Sequence, residues 1–100
     1  MTIRAPFLPS RGANQVVTPG AASASVSVDP IAKTVRLVNS GATNICHVRI
    51  GKGAQTATTA DVPVLPNSAI FVSKADGEDT VAYISAAGTT LHIQTGEGGY

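Results

Sequence analysis

Tryptophan is absent from this sequence, and two phenylalanines and two tyrosines are its whole aromatic complement. Large rings normally dominate the energetics of a core, at roughly 150–250 Å² buried apiece. A core without them rests on many small, stiff contacts, and the 43% apolar content here comes mainly from Val, Ile and Ala. Cysteine is nearly absent too: Cys46 stands alone, which excludes an internal disulfide. Charge is sparse. Only 13% of residues are charged and the net charge is +1, too neutral a balance for a dedicated nucleic-acid or membrane-surface binder. Long apolar runs are missing: no stretch approaches the ~20 residues of a membrane span. The opening MTIRAPFLP holds no signal-peptide core, so the expectation is a chain made in the cytoplasm without an N-terminal secretion signal.

What is present is one domain's worth of chain, 100 residues. A chain of this length hides only about 60–70% of its unfolded surface on folding. Its monomer is expected to be marginal, which makes burial against a partner or against copies of itself attractive. Low charge on a Ser/Thr/Ala-rich surface fits the same picture.

Residues 1–14, MTIRAPFLPSRGAN, read as an extended N-terminal arm. Pro6 and Pro9 fix φ and remove backbone donors, leaving Arg4, Phe7, Leu8 and Arg11 as candidate anchors on a neighbouring surface. From residue 15 a period of two takes over. Residues 23–29 alternate Ser25 and Ser27 against Val26 and Val28, and stop at Asp29-Pro30. Residues 34–39 place Val35 and Leu37 on one face and Arg36 on the other. Residues 45–50 turn Cys46, Val48 and Ile50 inward and His47 and Arg49 outward. The stretch 54–67 is looser, and its prolines demote it to an edge or a loop. Residues 69–73 form a clear strand, and residues 80–84 are expected to pair with it across a turn at 76–79. A second turn at 86–88 leads into residues 89–95, before a Gly-rich end. Six or seven short strands, with turns about every ten residues, predict an all-β domain over residues 15–96. The expected form is an antiparallel β-sandwich or small barrel, jelly-roll or Ig-like, with residues 97–100 as a flexible tail.

Catalytic chemistry is hard to assemble from these residues. His47 and His92 are the only histidines, neither lies in an HExxH-type spacing, and there is no GxSxG elbow. Cys46 and His47 are neighbours on one strand, so their side chains point to opposite faces and cannot share a metal ion. Gly51-Lys52-Gly53 lacks the spacing and following helix of a phosphate loop. Asp76-Gly-Glu-Asp79 carries three carboxylates but is too short for an EF-hand, and reads as a hairpin turn. The expectation is a non-enzyme without metal or cofactor.

Four segments in order are "RLVNSG" (36–41), "HVRIG" (47–51), "TADVPVLPNS" (59–68) and "AYISAAGTTL" (82–91), the last read as a hairpin. Together, over residues 34–99, they resemble small β-rich virion proteins of tailed bacteriophages. That resemblance implies a structural virion component synthesised in the host cytoplasm. It would be a decoration or cement protein on the capsid, often trimeric, with the major capsid protein as partner. Alternatively it would be an adaptor or fibre anchor among portal and tail proteins. A rival reading is a glycan-binding β-module, for which Phe71 and Tyr83 are the exposed-face candidates.

Overall fold

The computed structural model of the protein describes residues 8–9, 15–75 and 77–97. These form nine strands: β1 (Leu8–Pro9), β2 (Gln15–Val17), β3 (Ala24–Ser27), β4 (Thr34–Asn39), β5 (Cys46–Gly51), β6 (Val62–Val64), β7 (Ser68–Ser73), β8 (Thr80–Ile84) and β9 (Leu91–Glu97). Among the described residues there is no helix. Each longer strand is rich in Val, Ile, Thr or an aromatic, residues whose branched or flat side chains pack well on a pleated surface.

The strands make two antiparallel sheets. The first runs β1-β9-β4-β7, and β2 shares the outer edge of β9 with β1; the second runs β3-β8-β5-β6. β2 pairs with β9, β3 with β8, β4 with β7 and β5 with β6. The chain is therefore one long hairpin, β2–β5 against β6–β9, rolled into a sandwich. That is jelly-roll topology, and it replaces the Ig-like alternative, which distributes its strands differently between the sheets.

Two expected pairings are corrected. β8 does not pair with β7; it lies between β3 and β5 in the other sheet. Residues 82–91 are likewise not a hairpin, because β8 and β9 belong to different sheets. Alternation tells which way a side chain points but not which strand lies beside it. A connection of five or six residues spans the ~10 Å between sheets as readily as the ~4.8 Å between strands.

The core is filled as alternation predicts. Val35 and Leu37 on β4 meet Leu91 and Ile93 on β9 from one sheet; Cys46, Val48, Val64, Val81 and Tyr83 come from the other. Each fully buried Val, Leu or Ile contributes about 1.5–3 kcal/mol, so many modest contacts stand in for the missing large rings. Tyr83 is a second correction at the level of side chains. It opposes the inward Val48 and is buried, so it cannot offer an exposed aromatic face.

The two ends of the sandwich are tied by different chemistry. At one end, connections 18–23, 40–45, 65–67 and 85–90 bond to one another: Thr89 N–H to Pro19 O, Ser40 N–H to Thr90 O, Asn67 N–H to Gly41 O. At the other end, Lys74 is buried and its ammonium donates to Pro30 O at 3.1 Å and Glu78 O at 2.7 Å.

Candidate functional site

The groups best suited to chemistry are used structurally. Cys46 lies wholly inside, and burial pushes its thiol up to about 11. Its reactive thiolate is thus scarce at neutral pH. His92 faces outward on β9, with Nε2 3.3 Å from Ser40 Oγ. The Ser40 hydroxyl also lies 3.5 Å from Thr90 O. His47 is on the outer side of β5, turned away from Cys46. Among the described residues, no group of three or more His, Cys, Asp or Glu could hold a metal ion.

The two loops that invited a ligand are occupied from within. Gly53 sits at φ 73°, a turn conformation that glycine adopts freely, and its N–H donates to Asp79 Oδ1 at 3.1 Å. That bond, with a second from Thr80 Oγ1, holds the Asp79 carboxyl below its ordinary value. Glu78 Oε1 accepts from Ala75 N at 2.7 Å. Gly51–Gly53 is thus a turn whose backbone donor meets the chain's own carboxylate.

The outer faces of the two sheets differ. Over the second sheet, residues 52–61 form a cover. Gln55 packs against Gly51 of β5 so closely that a Cβ there would collide with its amide. Arg49 donates to Thr56 O, and Ala57 N–H reaches Ser23 Oγ at 2.8 Å beside β3. β8 lies between β5 and β3, and its outward Ala82 is consequently buried, as is Ala57 itself. The stretch expected to be a loose edge or loop is both: a sealed cover first, then the three-residue edge strand β6 containing Pro63.

The outer face of the first sheet has no such cover among the described residues. In one row across it, Gln94, Arg36 and Phe71 are register partners on β9, β4 and β7. Arg36 Nη1 donates to Gln94 Oε1 at 2.9 Å, and Phe71 is 46% exposed. In the next row stand Val16, His92, Val38 and Ala69, with Val16 exposed.

At the rim where β6 and β7 face each other, the sandwich opens. A cleft of about 290 Å³ is lined by Leu37, Val48, Ile50, Val62 and Val72, with Arg49, Asp61, Ser73 and Glu78 around its mouth. Arg49 Nε pairs with Asp61 Oδ1 at 3.4 Å. Val62 at its edge is exposed, and Leu65 is exposed beyond the far end of β6. Nothing in the sequence marked this cleft, because it depends on β6 being three residues long.

Of the four arm candidates, Arg4, Phe7 and Arg11 lie outside the described residues. Leu8 is in β1, paired with Glu97, and the next pair is Pro9 with Gly96. No family model matches the chain, and no curated protein matches it.

Proposed function

We propose that this chain is a non-catalytic structural protein of a phage virion, a decoration or cement subunit that packs on the capsid. Its sheet edges and N-terminal arm would make the contacts, and its partner would be the major capsid protein. The observation that carries the packing role is that the edge strands of both sheets, and the connection between them, leave large apolar side chains exposed: Val62 on β6, Leu65 after it and Phe71 on β7. Single exposed apolar residues are ordinary, but several along unpaired sheet edges favour burial against another surface. The virion assignment itself rests on the sequence resemblance. An adaptor or fibre anchor among portal and tail proteins uses the same surfaces and differs in location. The glycan-binding reading is weakened, since with Tyr83 buried only Phe71 of its two aromatics faces out.

The test is co-sedimentation of the purified chain with capsid shells that lack it. Saturable binding in a fixed ratio to capsid subunits is expected, and deletion of residues 1–12 should abolish it while leaving the fold intact. Absence of saturable binding sinks the decoration reading, and hits on a glycan array would turn the assignment to the rival.

A further inference from the structure

The open corner beside β6 has a definite cause. β6 begins only at Val62, opposite Val48, whereas β5 continues to Gly51 and β7 to Ser73. The second sheet is one short strand segment deficient there, and the vacancy leaves Ile50 and Val72 partly exposed above the buried Leu37 and Val48. An apolar cavity of roughly 150 Å³ is enough to hold benzene; this cleft, at about 290 Å³, has room for one phenyl ring and more. Among its lining residues Arg49 and Asp61 neutralise each other, and the remaining charge is the carboxylate of Glu78, one oxygen of which already accepts from Ala75 N. The chemistry wanted is therefore an extended segment with an aromatic ring and, some residues away, a cation. Proline in the segment does no harm, since an edge needs only some of its donors.

The chain contains that segment: MTIRAPF, with Arg4 three residues before Phe7, about 10 Å apart when extended. It enters the fold at Leu8–Pro9, on the outer edge of β9. The cleft lies beyond β7, at the opposite edge of the same sheet. Reaching its own cleft would mean crossing the full sheet, roughly 14 Å at ~4.8 Å per strand spacing. A neighbour's cleft needs no such crossing. We propose that the β5–β6–β7 cleft accepts the N-terminal segment of a second copy of this chain, Phe7 entering the apolar floor and Arg4 meeting Glu78. Such a contact is head-to-tail, and copies linked this way close into a ring when the rotation allows. The inference concerns self-association of the purified protein and stands apart from the virion reading.

Sedimentation velocity of the full chain over a concentration series tests it. Variants are Phe7→Ala, Val62→Glu, Arg4→Glu, Glu78→Arg and the double exchange Arg4→Glu/Glu78→Arg, each checked for folding by circular dichroism. Val62 is 43% exposed, so its replacement reports on docking rather than on the core. Wild type is expected to associate. Phe7→Ala and Val62→Glu should each weaken association by roughly tenfold or more, the scale for losing a central anchor. Each single charge reversal should weaken it, and the double exchange should restore it. A wild type that stays monomeric, or association indifferent to Phe7→Ala and Val62→Glu, overturns the inference. Capsid co-sedimentation of the same variants reads the virion question separately.

Discussion

The hydroxyl of Thr89 donates to Asn39 Oδ1 at 2.6 Å, across fifty residues of sequence. The same oxygen accepts Gly41 N–H at 3.0 Å, while Asn39 Nδ2 donates to Asn44 O at 2.8 Å and Val64 O at 3.0 Å. Asn39 is fully buried, and all four of its bonding positions are used. It fastens two of the four connections at its end of the sandwich, and the end of β6, to the last residue of β4. Asn39→Leu would leave several buried partners unsatisfied, at about 1–3 kcal/mol each before relaxation. The expected loss is about 3 kcal/mol or more, a Tm drop on the order of 15 °C in a domain of this size. Asn39→Asp should be worse at neutral pH, because a carboxylate would face two carbonyl oxygens, and should recover partly in acid. Thermal melts at two pH values check both; a change below about 1 kcal/mol for Asn39→Leu would show that the network is ornamental.

Gly41 stands against the same pair. A Cβ built on it would collide with Thr89 Oγ1 and press on Asn39 Oδ1. Gly41→Ala is therefore expected to destabilise by about 1–3 kcal/mol, on the order of an overpacked core. Thr89→Ala alone should cost about 1 kcal/mol for one lost hydrogen bond. In the double variant the collision with the hydroxyl is gone, so the two effects should fall well short of adding. Strict additivity in chemical denaturation would mean that the backbone moves instead.

Alternation makes the inward sets of β4 and β5 legible in the sequence: Val35 and Leu37 with Arg36 opposed, and Cys46 and Val48 with Arg49 opposed. It could not assign Tyr83. In Thr80-Val-Ala-Tyr-Ile84 both alternate sets are apolar, so either face could have been the inner one. Pairing was illegible for a different reason: β7 and β8 are adjacent in sequence and separated by the thickness of the sandwich. The cover over the second sheet left no sequence mark, because Gln55, Thr56 and Ala57 act mainly through backbone atoms and close packing. The rim cleft depends on where β6 begins, and strand ends are the least determined part of such a pattern.

Cys46 yields a pH prediction. Burial disfavours the thiolate and pushes the folded thiol up to about 11, above its ordinary value. A raised folded pKa means that this contribution to stability is complete below about 9 and is lost as the pH climbs toward 11. Alkylation at pH 8 should thus be slow in the native protein and rapid in denaturant, so that labelling tracks opening of the core. Fast native labelling under stabilising conditions would contradict the buried placement. Cys46→Val should remove the alkaline decline attributable to this group.

Asp79 acts at the other end of the scale. Its carboxyl is depressed chiefly by the hydrogen bond from Gly53 N–H, and then by Thr80. With the folded value below the unfolded one, its contribution is present above the ordinary carboxylate range and is lost as the pH falls through it. Asp79→Asn should flatten the acid limb of a Tm-against-pH curve and leave the alkaline limb alone. Superimposable acid limbs for the variant and wild type would show that the bond to Gly53 carries no coupling.

The cover formed by residues 52–61 makes the last prediction. Ala57 is 2% exposed, and its N–H donates to Ser23 Oγ on the far side of the sheet. Ser23→Ala removes that one side-chain anchor and should cost about 1 kcal/mol. Ala57→Glu is harsher, since a carboxylate would have to leave the covered site and lift the segment with it. The cover is a loop attached by few bonds, so its detachment need not unfold the sandwich. Global stability should fall by about 2 kcal/mol, while amide exchange speeds up selectively at residues 55–58 and at Ala82 on the face beneath. If exchange instead rises evenly through both sheets, the cover is part of the cooperative core. If neither exchange nor stability changes, residues 52–61 do not hold the closed position at all.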